Sequence, residues 1–178
     1  QFPNVEFYFW TALPPSWLPE HPRILVRKDF LSQTAYPQAL AAVSFDLALC
    51  PLQDTLFNRG KSNIRWMDHA ALRTPCVCSR VEAYDCVKDG VDGLLAQEEE
   101  EWVAQISRLV KQEVMRKTMG KAAYKRVWKD FGVDKAVAGY EKVYQEVLPI
   151  NQKLMKETLN RFALARQVQM PQPLVAVS

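Results

Sequence analysis

Six consecutive residues, Asn58-Arg59-Gly60-Lys61-Ser62-Asn63, are of the types a phosphate cradle requires. Gly60 lets the backbone approach an anion closely. Ser62 or Asn63 can cap a following helix, and the free N–H groups of a helix start point at negative charge. Lys61 and Arg59 add countercharge suited to a diphosphate. A capped helix with solvated basic residues has the same composition, so the residue types alone leave both readings open. Asp68 lies five residues beyond Asn63 on that helix, away from the anion and suited to binding hydroxyls. His69 is one helix step off Asp68's face and reads as an ordinary helix histidine. Glu82 and Tyr84, just past Cys78-Ser79, are placed to line the rim of a pocket, although a glutamate in that position is commonly a surface residue.

The remaining chemistry-bearing residues imply no metal. Cys50, Cys76, Cys78 and Cys86 form no C-x-x-C pair, His21 and His69 are the only imidazoles, and there is no D-x-D acidic pattern. Cys76 and Cys78, two apart in a strand-like run, point to one face and read as buried, reduced thiols. Reduced thiols fit a cytoplasmic setting.

The elements that position these residues alternate. Val5–Trp10 is aromatic and β-branched and predicts a strand, stopped at Leu13-Pro14-Pro15. Ile24-Leu25-Val26 predicts a second. Ser32 or Thr34 is placed to cap a helix through Gln38–Val43, with Pro37 tolerated in its first turn. Leu47–Cys50 is a nearly continuous apolar strand ended by Pro51. A helix over 63–72 carries Ile64, Met67 and Ala71 at helical spacing, Arg73-Thr74-Pro75 ends it, and Cys76-Val77-Cys78 is another buried strand. Gly90 and Gly93 flank a turn into Leu94-Leu95. This rhythm predicts an α/β domain with a mainly parallel, Rossmann-like sheet flanked by helices. In such sheets ligands bind at the carboxyl ends of the strands, where the loop over 53–61 begins.

From Glu98 the chain reads as helical. Glu98 to Glu101 crowd a helix start, where the dipole favours acids. Trp102, Ile106, Leu109 and Val110 follow at the helical period. Gly120 is a candidate interruption and Phe131-Gly132 a break. Another helix runs from Asp134, with Val137, Tyr140, Val143, Tyr144 and Val147 on one side, until Pro149. A last amphipathic helix spans about Gln152 to Val168 before a proline-containing tail. Lys111, Arg116, Lys117, Lys121, Lys125 and Arg126 read as a solvated face. The expected organisation is a Rossmann-like domain over 1–133 and C-terminal helices with a tail over 134–178.

With 178 residues, 48% of them hydrophobic and 24% charged, the chain has an ordinary globular profile. A net charge of +3, with 23 basic residues set against 20 acidic ones, supports neither a nucleic-acid nor a membrane-surface role. No apolar run approaches the roughly 18 residues a spanning helix needs.

The runs Phe45–Leu52, Phe57–Asp68 and Ala70–Pro75 closely resemble the group 1 glycosyltransferases. In that family a strand ends in proline, a loop and helix hold the donor, and a turn with proline leads to the next strand. Val91–Leu95 is similar to the family's glycine-containing strand, and the likeness extends over roughly Val5–Val147. The resemblance implies the C-terminal, donor-binding half of a GT-B fold, retention of configuration, and a nucleoside-diphosphate sugar as a substrate, with no cofactor. Arg59, Gly60, Lys61, Ser62 and Asn63 would meet the diphosphate. Of the family's two glutamates spaced E-x7-E, Asp68 takes the second position and would bind the donor's ribose, while Gly60 takes the first. The catalytic residue is not assignable. The family's N-terminal acceptor domain, and usually an earlier strand and helix carrying a basic pair, find no counterpart. The chain, which opens with Gln1, therefore reads as a fragment that is inactive without an acceptor domain. The base would be chosen near Arg27 to Phe30, and an apolar stripe on the last helix, near Leu154 to Ala165, would mark the interface with the absent domain. Against this stand a non-catalytic nucleotide- or phosphate-binding module and a doubly wound interaction domain. The latter wants clustered acids at strand ends, yet Asp46 and Asp54 lie at opposite ends of their strand.

Overall fold

The computed structural model describes residues 2–11, 13–29, 31–32 and 34–168, with side chains as far as residue 161. Phe30, named above for base selection, and the proline-containing tail lie outside the described residues. Two compact units are present, residues 1–123 and 124–178.

The first unit is α/β with all strand pairs parallel. β1 (Phe7–Trp10) pairs with β2 (Ile24–Arg27), and β3 (Ala48–Cys50), β4 (Cys76–Ser79) and β5 (Leu94–Ala96) form a second sheet in that order. The strands lie where the apolar runs predict them, but they form two sheets rather than one. Tyr8 meets Phe45 edge-on, with ring centroids 5.4 Å apart, so side chains join β1 to the segment before β3. β4, in the middle of its sheet, is buried along its whole length, as a run such as Cys76-Val77-Cys78 requires. Its core gathers Val77, Leu94, Ala96, Leu109 and Met119, with Leu47, Trp102, Ile106 and Met115 packed around them.

α1 (Ala35–Val43) starts after Ser32, whose Oγ accepts the Ala35 N–H at 3.2 Å. Of the two candidate caps, Ser32 thus acts and Thr34 does not. α2 (Leu56–Arg59) is a single turn, and α3 (Ile64–Ala71) follows it. The buried residues of α3 are Trp66 and Ala70, whereas Ile64 is exposed. The Ile64-Met67-Ala71 face is thus not the inner one. The Trp66 indole N–H donates to the Asp92 carbonyl at 3.0 Å, which fixes the inward face by a buried hydrogen bond that apolar spacing does not register.

α4 (Glu99–Lys111) carries three acids in its first turn, and Glu101 reaches back to accept the Gln97 N–H at 2.7 Å. The break in the helical stretch falls at Gln112, not at Gly120, and α5 (Glu113–Asp130) runs through Gly120. The reason is packing: a Cβ at Gly120 would stand 1.9 Å from the Arg73 carbonyl oxygen. Gly120 is where α5 crosses the backbone after α3, rather than a helix breaker. Arg116 is also not a solvated residue. It is half-buried, and its guanidinium donates to the Leu109 and Val110 carbonyls at 2.7 and 2.8 Å, closing the C-terminus of α4.

In the second unit α5 ends at Asp130, and α6 (Val133–Val168) begins after the expected break at Phe131-Gly132. α6 continues through Pro149, so the two expected helices are one. Pro149 lacks an N–H, which leaves the Gln145 carbonyl without its helical donor. Both residues are exposed, and water can take that donor's place. No helix among the described residues is long and apolar enough to cross a membrane.

Candidate functional site

The loop after β3 leaves the carboxyl end of the central sheet. Ser79, at the end of β4, holds its start: the Ser79 Oγ accepts the Leu52 N–H at 2.7 Å. Thr55 caps α2 by accepting the Asn58 N–H at 3.2 Å, and the Asn58 side chain donates to the Gln53 carbonyl at 2.9 Å. These bonds give an exposed loop a defined shape without any apolar core of its own.

The predicted diphosphate residues are brought together but are not equivalent. Arg59 forms a two-pronged pair with Asp54, Nε to Oδ1 at 2.8 Å and Nη2 to Oδ2 at 3.1 Å. The pair holds the Asp54 carboxyl below its usual range, and the Glu82 carboxylate adds a weaker pull on Arg59. Arg59's charge is therefore already matched by acids of the chain. Gly60 has an ordinary right-handed backbone with φ −78°, and a Cβ there would make only a normal contact. Its conformation does not demand glycine. Lys61 is exposed and its ammonium stands 5.0 Å from the centre of the Phe57 ring, also exposed. Ser62 is exposed, and Asn63 takes the N-cap position of α3.

Asn63 does not cap. Its Nδ2 donates instead to the Cys86 Sγ at 3.0 Å, tying the start of α3 to the segment after β4. No side chain at the cap position therefore takes the first amides of α3. The first turn of α3 holds no acid and carries an exposed Arg65. A cation there is unfavourable to the helix dipole by itself. Sequence reading of the loop stopped at Asn63 and missed Arg65. A base inside a first turn that lacks acids is the signal that marks it.

Asp68 is half-buried on α3. Burial raises its carboxyl above the usual range, Arg65 pulls it back, and Cys50 adds a smaller upward push. Asp68 in turn helps raise the Tyr36 phenol, although burial is the larger cause there. Asp68 thus lies within electrostatic reach of Tyr36 on α1. His69 lies behind it with Nδ1 buried and unbonded, its ring edge-on to Phe45 at 6.3 Å, and burial lowers its pKa.

Glu82 and Tyr84 form a single turn of 3-10 helix after β4. Glu82 is exposed, but Tyr84 is only 3% exposed, and burial pushes its phenol well up. Tyr84 is a wall of the core under the site rather than its rim. Its place in a polar-looking segment hid that inward turn.

Cys50 and Cys78 are register partners on β3 and β4, and Cys76 joins them; all three are buried and free. Hydrogen bonding with Cys50, and then burial, hold the Cys76 and Cys78 thiols above their usual range. No group of three or more metal-ligating residues occurs among the described residues. A concavity of about 290 Å³ lined by Phe45, Asp46, Arg73 and Arg116 lies at the opposite, amino ends of β3 and β4, and its cations are engaged in contacts of their own.

A family model described as glycosyl transferase-like matches residues 2–142, and the chain belongs to that family. No curated protein matches the chain. Glycosyl transfer is accordingly the general chemistry of the domain.

Proposed function

We propose that the loop and helix over 51–68 hold the diphosphate and ribose of a nucleoside-diphosphate sugar, and that this chain supplies the donor-binding part of a glycosyltransferase. The observation that carries the reading is the start of α3. It lies past the carboxyl end of β3, its cap residue is turned to Cys86, and Lys61 and Arg65 flank it without an acid in its first turn. Helix-start amides with cations beside them suit an anion.

In transfer, the bond between the sugar's anomeric carbon and the diphosphate oxygen breaks as charge builds on the leaving diphosphate. Amides already oriented at a helix start, with Lys61 and Arg65, stabilise that charge without reorganising. Ser62 adds a hydroxyl at the same point. Asp68 is the acceptor for ribose hydroxyls. Arg59, paired with Asp54, shapes the loop rather than neutralising the donor. The acceptor and its binding domain are supplied from outside the described residues.

Calorimetric titration with UDP, GDP and ADP tests this reading. One of the three is expected to bind, with Lys61→Ala and Arg65→Ala each weakening it about tenfold, as for a charge-assisted contact. A folded sample that binds none of them refutes the proposal. A silent nucleotide-binding module is the second reading, favoured by Gly60 standing where the resemblance places a glutamate. Binding without transfer by a protein that includes an acceptor domain selects it.

A further inference from the structure

α2 is a single turn with an unusual surface. Leu56 and Phe57, its first two residues, are 88% and 78% exposed. Large apolar side chains scattered singly over a surface are ordinary, but these stand together on a loop of fixed shape. Thr55 caps the turn, the Asn58 side chain is bonded back to Gln53, and Arg59 is clamped on Asp54. The Lys61 N–H then closes the turn on the Asn58 carbonyl at 3.1 Å. These bonds fix the turn and leave the Phe57 ring in water. A fixed loop that holds an aromatic ring out to solvent is a contact surface made in advance of its ligand.

The ring's neighbour is the Lys61 ammonium, which lies over it at 5.0 Å from the ring centre. An exposed cation–π contact is weaker than a charge-assisted hydrogen bond, so Lys61 can turn from the ring to a diphosphate. The ring face it leaves is then open beside that diphosphate. A sugar nucleotide has a fixed order of parts: base, ribose, two phosphates, sugar. Asp68 stands one helix turn past Arg65 on α3, whereas Lys61 precedes the helix. A diphosphate set between Lys61 and Arg65, with its ribose at Asp68, turns its sugar end toward Lys61 and the ring beside it. A pyranose carries a face made largely of C–H bonds. Packing that face on an aromatic ring removes apolar area from water on both sides and sets C–H groups against the ring's negative face.

We propose that Phe57 is the platform on which the donor's sugar packs, and that this sugar is a pyranose with an apolar C–H face. The inference rests on the diphosphate reading above and adds the sugar's place to it.

Calorimetry of the full chain with a nucleoside diphosphate and with its hexosyl derivative tests the platform, using UDP and UDP-glucose, GDP and GDP-mannose, and ADP and ADP-glucose. For the pair that binds, Phe57→Ala should weaken the hexosyl compound about tenfold and the bare diphosphate less than about threefold. Phe57→Tyr, which keeps a ring, should restore the hexosyl affinity. Leu56→Ala, one helix step away from Phe57, should change neither. Circular dichroism should be the same for all of these variants, because both side chains are exposed. Equal loss for the two ligands in Phe57→Ala overturns the platform, since Phe57 then acts only by holding Lys61. No loss for either, or a wild type that binds the diphosphate but not its hexosyl derivative, also overturns it and leaves the diphosphate site standing. A folded chain that binds no nucleoside diphosphate removes the diphosphate reading and the platform with it.

Discussion

Gly120→Ala separates helix propensity from packing, because the two predict opposite signs. Gly120 sits inside α5, where alanine is favoured over glycine by about 1 kcal/mol. On propensity alone the substitution stabilises. The structure places the added Cβ 1.9 Å from the Arg73 carbonyl oxygen and 2.8 Å from its carbon. Restoring ordinary contact requires the two backbones to part by about 1.5 Å. Arg73 cannot retreat freely. It has a left-handed φ of 61°, and bonds of 3.0 Å from Arg73 N–H to the Ala70 carbonyl and from Thr74 N–H to the His69 carbonyl hold it. Forcing packed backbone apart costs about 3 kcal/mol. The net expectation is a loss of about 2 kcal/mol, or a Tm lower by roughly 4–8 °C for a chain of this size. Thermal and urea unfolding, followed by circular dichroism and by tryptophan fluorescence, measures it. Gly139→Ala in α6 is the matched control, with nothing within 4 Å of its added Cβ, and should gain up to about 1 kcal/mol. A Gly120→Ala protein as stable as the wild type, or more stable, refutes the packing argument.

Other expectations follow from single contacts. Burial raises the Asp68 carboxyl, so its charged form costs stability, and the protonated form's advantage is lost as pH rises through the folded-state pKa. Asp68→Asn should therefore raise the Tm at neutral pH, change it little at acid pH, and weaken ribonucleotide binding more than binding of a dideoxynucleotide. Ser79→Ala leaves the Leu52 N–H without its acceptor and should cost about 1 kcal/mol in urea unfolding, with a looser loop after β3. Arg59→Ala should change nucleoside-diphosphate affinity by less than about threefold in the same calorimetry that tests Lys61, because its charge is already matched. Among the four thiols, Cys86 should react with a thiol reagent in the native state, and Cys50, Cys76 and Cys78 only on unfolding, since all three are at most 1% exposed.

Much of the fold was legible because burial on both faces leaves a plain mark. The continuous apolar run at 76–78 is the middle strand β4, buried throughout, whereas the similar run at 47–50 became the edge strand β3, whose Leu49 is exposed; proline bounds each run. Element type thus followed from local pattern. What did not follow depends on partners distant in sequence. The inward face of α3 was set by Trp66 and its bond to Asp92, not by the Ile64-Met67-Ala71 spacing. Arg116 looks like one more base on a solvated face, and only the nearby end of α4 makes it a cap. Gly120 reads as a helix breaker until the Arg73 backbone is seen beneath it. Pro149 reads as a stop, yet α6 continues through it, with Pro149 and Gln145 both open to water. The candidate site was legible as a segment and not as a set of roles. Spacing brought the residues from Arg59 to Asn63 together, whereas the pairing of Arg59 with Asp54 and of Asn63 with Cys86 needed the loop's shape.

Those two pairings decide how the site's charge is read. A loop with Arg59 and Lys61 suggests two cations for a diphosphate, yet Asp54 and Glu82 already answer Arg59. One turn later stands Arg65, exposed and answered only in part by Asp68. The contrast with α4 is instructive, since both helices leave the ends of strands in one sheet. α4 fills its first turn with Glu99, Glu100 and Glu101, and its own carboxylate reaches back to a free amide. α3 has no acid in its first turn, its cap asparagine is drawn off to Cys86, and its first-turn charge is positive. A helix start that answers its dipole with its own acids needs no anion from outside. One that adds cations to it is short of negative charge, which the proposed donor diphosphate would supply. This shortage supports Lys61 and Arg65, rather than Arg59, as the pair whose removal should cost donor affinity.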